Sequence, residues 1–332
     1  MSLSYLTLKE KMKTVEEAKA DFLQIVADLG GPADVECFMT WLKTKAFDEI
    51  MDNHEREDKQ EYLTRMERRR VLKQVSTFSK SLQPRFEATF PSENIMAPQN
   101  SEEGLNFQST ASVDAFLYDE VDVEELTQEG KVPTHYCKKC GTRDGISEIE
   151  LITHSAGRDD LEFIFDALLP DLTGQSILDI GSRIGAVLFG AYVYANNSFI
   201  CGIEMNPDVC QVAMKTIENF QMQDRVQIVN AELSTRADLV QAANVIVLNN
   251  VFDWFVPMDV QVKLWQFIRQ NTQSGTLMVT IPSIEESLGK LPNSAGIDLY
   301  QWVKHSPPFR PTRLPSHEIE EKSELIKLYQ VL

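Results

Sequence analysis

The residues best suited to chemistry follow two short apolar runs in the middle of the chain. Residues 177–180 form the first run, which contains Asp179, and the glycine-bearing segment 181–185 follows it at once. Glycine lets a backbone approach a ligand without a Cβ in the way. Residues 199–203 form the second run, which leads directly into Glu204. A carboxylate there can accept hydrogen bonds from two neighbouring hydroxyl groups, so the spacing indicates a ligand cradle beside a ribose-binding acid.

These residues require a strand, a turn, a helix and a second strand to position them. A short apolar run bounded by glycine is typical of a buried parallel strand. Such units bind adenosine-containing ligands beyond the carboxyl ends of their strands. The glycines are spaced G-x-x-x-G, with Arg183 at the middle glycine position of a dinucleotide fingerprint. A ligand held by its pyrophosphate is therefore disfavoured.

The same alternation continues on both sides of this unit. The pattern predicts helices at 158–169, 186–195, 207–220 and 258–271, and strands at 225–230, 245–248, 276–281 and 325–332. Repeated strand–helix units imply an α/β fold, a doubly wound and mostly parallel sheet with helices on both faces. The carboxyl ends of its strands would gather the glycine turn, Glu204, residues 231–232 and residues 249–250 into one site.

Asp179–Ile180–Gly181 with Gly185, followed by Ile203–Glu204, resembles motif I and the next acidic loop of class I S-adenosylmethionine-dependent methyltransferases. The resemblance covers residues 158–332 and implies a Rossmann-like fold that binds S-adenosylmethionine. Arg183 departs from the glycine-rich motif of that family. The cofactor-binding residues that the resemblance implies are Asp179, Gly181, Ser182, Arg183, Gly185, Glu204, Met205, Ala231, Glu232 and Asn249. Glu232 would face the adenine amine, or else cap the helix that follows it.

The end of the fourth strand, Asn249–Asn250–Val251–Phe252, corresponds to the family motif near the transferred methyl group. We therefore predict that Asn249, Asn250 and Trp254 position the substrate for catalysis. DNA and RNA amino-methylating enzymes commonly have Asp/Asn-Pro-Pro-aromatic at this point, which this chain lacks. The segment resembles, more loosely, the non-SET histone lysine methyltransferases and equally the small-molecule methyltransferases. The methyl acceptor is left open between a protein, an RNA and a small molecule.

Composition bounds the partners of the chain. Its 332 residues predict about two domains. The net charge of −18 disfavours nucleic acid and would attract a basic protein, so we favour a protein acceptor. No apolar stretch approaches the length of a membrane span, and the first residues are too mixed for a signal peptide. With five unevenly spaced cysteines, these features predict a cytoplasmic or nuclear protein that is not secreted.

The chain before residue 158 matches no family that we could name. We predict a helical module at residues 1–90, a linker with an acidic run at 91–130 and a candidate zinc-knuckle segment at 131–157. The module carries amphipathic helices at 14–29, 35–50 and 56–81, the last with a basic cluster between Arg65 and Lys73. We expect this cluster to be a salt-bridged, solvated face, and contact with phosphate or RNA is the alternative. An alternative function is a catalytically silent, methyltransferase-like scaffold that binds a partner protein through residues 1–90.

Cys137 and Cys140 form a Cys-x-x-Cys-Gly turn, which suits a zinc knuckle. A structural zinc ion needs four ligands; His135 and His154 are the nearest candidates to complete the set, and Cys37 is a more distant third. We predict one structural zinc that fastens the preceding segment, where no apolar stripe is evident. Unmodified loop cysteines and a redox pair are the alternatives.

Overall fold

The computed structural model describes seven stretches of the chain, residues 15–43, 56–82, 110–137, 147–153, 155–252, 256–309 and 316–332. The chain divides into two compact units, residues 1–67 and 68–332. None of the helices in the described stretches is both long enough and apolar enough to cross a bilayer. The four-part domain division drawn from the sequence remains a prediction.

The first unit is helical. It contains α1 (Val15–Ala27), α2 (Pro32–Trp41) and the beginning of α3 (Arg56–Leu82), close to the predicted helices. Pro32 stands in the first turn of α2, where a missing N–H is tolerated. Phe38 stacks against Phe22, with ring centroids 6.2 Å apart, and against Trp41 at 5.6 Å. Residues 44–50 of the second predicted helix lie outside the described residues.

Within the second unit, residues 110–128 form regular structure where the sequence had suggested a linker. Strand β1 (Thr110–Ser112) is followed by helix α4 (Glu120–Gln128), and a capping box between Asp119 and Asp122 begins that helix. Residues 116–118, an aromatic and aliphatic run, are buried in the core. The acidic run therefore lies at the beginning of helix α4, and apolar burial anchors the segment that the zinc ion was expected to fasten.

Two small strand pairs follow α4. Strand β2 (His135–Tyr136) pairs antiparallel with β3 (Ser147–Glu148), while β4 (Glu150–Ile152) pairs in parallel with β1. Strand β4 thus lies beside residues 110–112, and the chain continues from β4 to the helix that precedes the main sheet. The parallel pairing therefore fixes residues 110–112 beside residues 150–152, shortly before the α/β fold begins.

A seven-stranded sheet forms the centre of the second unit. Its strands are β5 (Ser176–Ile180), β6 (Phe199–Glu204), β7 (Val226–Asn230), β8 (Val245–Asn249), β9 (Leu277–Ile281), β10 (Val303–His305) and β11 (Lys327–Val331). Their spatial order is β10-β11-β9-β8-β5-β6-β7. Strands β5 to β9 pair in parallel, and β11 runs antiparallel to both of its neighbours.

Helices cover both faces of this sheet, as the strand–helix alternation requires. They are α5 (Arg158–Glu162), α6 (Ala186–Tyr194), α7 (Pro207–Asn219), α8 (Ala237–Ala242), α9 (Met258–Asn271), α10 (Ile284–Gly289) and α11 (Ser316–Leu325). One apolar cluster includes Phe163 and Phe189, and a second includes Ile246 and Trp265. The predicted fold class, a doubly wound and mostly parallel α/β sheet, is confirmed.

The carboxyl-terminal half of α3 is part of the second unit, with Leu72 and Val75 fully buried. Arg68 contacts Asp166 at 3.2 Å. The guanidinium of Arg69 donates to Glu162 from both Nε, at 2.7 Å, and Nη2, at 2.6 Å. These two arginines are salt-bridged, as expected, but their partners belong to the segment before the main sheet and Glu162 is buried, so this part of the cluster is not a solvated face.

Candidate cofactor-binding site

The glycine turn after β5 is fastened to the end of β6. The amides of Gly181 and Ser182 both donate to the carbonyl of Ile203, at 2.9 and 3.0 Å. Gly181 has a φ of +72°, and an added Cβ would lie 2.1 Å from Cγ2 of Val251. Gly181 is therefore required both by backbone conformation and by close approach. Gly185, with a φ of +95°, ends the turn and leads into α6.

Glu204 is 7% exposed, and backbone amides hold both of its carboxylate oxygens. Oε2 accepts from the amide of Arg183 at 3.0 Å, and Oε1 accepts from the amide of Asn206 at 2.8 Å. An ionised carboxylate has about four acceptor sites, so each oxygen can accept a further hydrogen bond. The carboxylate is thus oriented in advance at the end of β6, as a receptor for two adjacent hydroxyl groups requires.

Asp179 lies in β5 opposite Gly202 of β6 and is 2% exposed. Burial raises the pKa of its carboxyl group well above the ordinary value, and the nearby charge of Glu204 raises the pKa further. A positive charge close to this carboxyl group would oppose the shift, because it stabilises the charged form of the acid.

The end of β7 supports the segment that carries Glu204. The amide of Ala231 donates to the carbonyl of Glu204 at 3.1 Å, and Nδ2 of Asn230 donates to the same carbonyl at 2.9 Å. The sequence analysis had not singled out Asn230. Glu232 occupies the N-cap position of a short 3-10 turn, and its side chain makes no capping hydrogen bond there. Met205 is 62% exposed beside this edge.

The segment after β8 is brought against the glycine turn by the contact between Val251 and Gly181. Asn249 is buried as the last residue of β8. Asn250 adopts a φ of +49° and donates its amide to Ile281 at 2.7 Å. The third predicted substrate-positioning residue, Trp254, lies outside the described residues. The structure therefore places residues 249–251 beside the predicted cofactor cradle.

Arg183 reaches a partner that the sequence analysis missed. Its side chain is buried, and Nη1 lies 4.0 Å from Oδ2 of Asp114. Asp114 is itself buried and accepts from the hydroxyl of Ser155 at 2.6 Å. A sequence signal for this region was available in the apolar residues 116–118, which predict burial. Nothing local in the sequence links residue 114 to residue 183, because the sheet topology brings them together.

The predicted zinc ligands are only partly within the described residues. His135 is exposed in β2, and its Nδ1 lies 2.9 Å from the hydroxyl of Thr134. Cys137 is a free thiol. Cys140 and His154 lie outside the described residues. Within the part of the chain that the structure describes, no group of three or more His, Cys, Asp or Glu side chains could hold a metal ion, so the zinc site stays a prediction.

No protein-family model and no curated protein sequence matches this chain. Among solved structures, an RNA methyltransferase from Salinibacter ruber in complex with S-adenosyl-L-homocysteine is 19% identical, with a TM-score of 0.31. The match covers 52% of this chain and 88% of the other chain. A precorrin-6y C5,15-methyltransferase from Geobacter metallireducens is 11% identical, with a TM-score of 0.36. That match covers 54% of this chain and 90% of the other chain.

A third solved structure is an S-adenosylmethionine-dependent methyltransferase from Thiobacillus denitrificans in complex with S-adenosyl-L-homocysteine. It is 15% identical, with a TM-score of 0.28, and the match spans 37% of this chain and about half, 47%, of that chain. The sheet order, the glycine turn and the acid that ends β6 give the second unit a class I methyltransferase-like fold. What the fold does in this chain must be argued from its own site.

Proposed function

We propose that this chain is an S-adenosylmethionine-dependent methyltransferase. The observation that carries the proposal is the orientation of Glu204. Two backbone amides hold its carboxylate at the carboxyl end of β6, and one of them belongs to the glycine turn itself. The acid and the cradle are therefore one rigid unit at the edge where doubly wound sheets bind ligands.

The residues present fit the proposed cofactor. Glu204 suits the two ribose hydroxyls, because each of its oxygens can accept one more hydrogen bond. Gly181 lets the turn pack directly on Val251, where an added Cβ would clash. Asp179 is a buried acid with a raised pKa, and it would be stabilised in its charged form by a cationic ligand. When bound, S-adenosylmethionine supplies an activated methyl group on a sulfonium centre.

The protein has to position its substrates more than activate them. Holding an acceptor in line with an activated methyl group converts a bimolecular step into a nearly unimolecular one. Asn249 and Asn250 are proposed to orient the acceptor, since they follow β8 beside the glycine turn. Trp254 is proposed to join them. An amine acceptor must be neutral to react, and a buried site favours the neutral form.

For the acceptor we propose a basic protein. The chain carries a net charge of −18, which repels phosphate backbones and attracts cationic surfaces. Methyl-labelled cofactor incubated with cell lysate, with the products separated into protein, RNA and small-molecule fractions, tests this proposal. Label in the protein fraction is expected, while label confined to RNA or to small molecules would refute the choice of acceptor.

Calorimetry with S-adenosylmethionine tests cofactor binding, and the labelled assay tests transfer. Gly181→Arg should abolish both, because its side chain would clash with Val251 and disrupt the glycine turn. Gly289→Arg is a matched control, since no atom lies within 4 Å of a Cβ at that position. A folded wild-type protein that binds no cofactor would refute the function. Binding without any transfer would favour the scaffold alternative.

A further inference from the structure

The segment that follows β8 is anchored on one side by β9. Asn249, the last residue of β8, pairs with Ile281, the last residue of β9. The amide of Asn250 donates to the carbonyl of the same Ile281 at 2.7 Å. Because Asn249 and Asn250 are the residues proposed to orient the acceptor, their backbone is fixed from the β9 side.

Helix α9 anchors the other side of this segment through the side chain of Gln261. Its Nε2 donates to the carbonyl of Val256 at 3.1 Å and to the carbonyl of Phe252 at 3.4 Å. The carbonyl of Phe252 also accepts the amide of Val256 at 3.2 Å. A single side-chain amide near the beginning of α9 therefore holds two separate backbone carbonyls of the chain that leads into this helix.

Gln261 is a polar residue at a position where the helix pattern favours an apolar one. The buried residues of α9 are Gln261, Trp265 and Ile268, which share one face of the helix. Gln261 is 8% exposed, and a buried amide is costly unless it is hydrogen-bonded. Both of its partners are carbonyl oxygens, which only accept, so the NH2 group must face them. The role that the contacts give to this glutamine is to hold the backbone.

The ring of Phe252 and the amide of Gln261 make different contributions to this anchor. Phe252 is buried and packs edge-to-face on Trp265, with ring centroids 5.5 Å apart. Apolar burial keeps the segment on the helix, but it is non-directional. A hydrogen bond depends on both distance and angle, so the amide of Gln261 fixes where the carbonyl of Phe252 lies.

We propose that Gln261 is a positioning residue for methyl transfer, which acts through residues 249–252. In-line transfer needs a fixed acceptor orientation, and a misplacement of about 1 Å costs roughly 100-fold in rate. The cofactor cradle is held separately, because the amides of Gly181 and Ser182 donate to the carbonyl of Ile203. Loss of the Gln261 amide should therefore slow transfer and leave cofactor binding unchanged.

This inference rests on the proposed function and is tested with methyl-labelled S-adenosylmethionine at a saturating concentration. The acceptor is the cell-lysate fraction that the wild-type protein labels, added at increasing concentration to give a maximum rate. Gln261→Met keeps a long, unbranched side chain but removes the donor. Its maximum rate should fall roughly 10- to 100-fold. The dissociation constant of the cofactor, measured by calorimetry, should not change.

Gln266→Met is the matched control on the same helix. Nε2 of Gln266 donates to the carbonyl of Ala295 at 2.8 Å, so this variant also loses a hydrogen bond from a glutamine to the backbone. If both glutamines were only structural, both variants would lower the melting temperature and neither would lower the maximum rate. We expect the maximum rate of Gln266→Met to equal that of the wild type.

The outcomes separate failure of this inference from failure of the function. A wild-type protein that binds no cofactor, or labels no fraction, refutes the proposed function and the role of Gln261 with it. If the wild type is active, equal maximum rates for Gln261→Met and Gln266→Met would refute the positioning role alone. A loss confined to cofactor affinity would refute it as well. If Gln261→Met does not fold, Gln261→Asn, whose amide is one methylene shorter, must show the loss of maximum rate.

Discussion

Replacing Glu204 by glutamine is the most informative single change in this site. The side chain keeps its length and shape but loses its charge and half of its acceptor capacity. Only the carbonyl oxygen of the new amide can accept a hydrogen bond. The amides of Arg183 and Asn206, which donate to opposite oxygens in the wild-type protein, cannot both be satisfied.

The structure allows the size of this effect to be worked out in two parts. One backbone amide would face an NH2 group, and a buried donor without a partner costs about 1–3 kcal/mol of the free energy of unfolding. For the ligand, the loss of one charge-assisted hydrogen bond from a ribose hydroxyl costs about 1.5–3 kcal/mol. Since about 1.4 kcal/mol is a factor of ten in affinity, the dissociation constant should rise roughly 10- to 150-fold.

Calorimetry with S-adenosylmethionine and urea unfolding measure the two parts separately. Glu218→Gln, at an exposed position on α7, is the matched control and should change neither quantity. A Glu204→Gln protein that is folded and binds the cofactor as tightly as the wild type would refute the ribose role of Glu204. A drop in stability with no drop in affinity would leave only a structural role.

Three further changes test the surroundings of the site. Asp179→Asn should raise the free energy of unfolding at pH 7. The pKa of Asp179 is raised in the folded state, so the wild-type protein loses stability as the pH rises from about 3.9 through the folded pKa, at about 1.4 kcal/mol per pH unit. Urea unfolding from about pH 4 to 8 should show that the variant's gain in stability grows with pH, and an unchanged difference would contradict this prediction. Gly181→Ala should lower the free energy of unfolding by about 1–3 kcal/mol more than Gly174→Ala does. Both glycines have a positive φ, but only a Cβ at Gly181 would meet Val251. Equal losses of stability in thermal unfolding would contradict the close approach of Val251 to Gly181. Glu162 and Asp159 both contact Arg69, but Glu162 is buried and Asp159 is exposed. Glu162→Gln should lower the free energy of unfolding by about 1.5–3 kcal/mol, and Asp159→Asn by at most about 1 kcal/mol. Similar losses in denaturant unfolding would show that burial does not strengthen the contact.

The central α/β elements could be predicted because local pattern and tertiary role agree there. The apolar residues 245–248 form a fully buried strand, β8, and Pro207 stands in the first turn of α7, as its fixed φ favours. The helix predicted at 258–271 is α9, with the same bounds. In each case the residues that indicate the element are also those that bury it.

The residues before the α/β fold could not be placed from sequence, because their structure depends on distant partners. Residues 110–112 form a strand only by pairing with residues 150–152. Phe116 is buried because it packs on Phe189, far along the chain. Polar residues around short apolar runs are typical of linkers, and nothing local distinguishes them from a segment that docks on a helix.

The packing of residues 110–118 bears on Arg183, which stands where the glycine-rich motif has glycine. A turn that replaces glycine by arginine has to accommodate both a left-handed backbone and a buried cation. The left-handed backbone of Arg183 stays strained, while the carboxylate of Asp114 offsets the charge of its guanidinium. Because Asp114 belongs to a segment that folds onto α6, the glycine turn is complete only when residues before the α/β fold are in place. The proposed cofactor site therefore depends on two distant parts of the chain, and a fragment that begins at residue 158 would contain the glycine turn without Asp114.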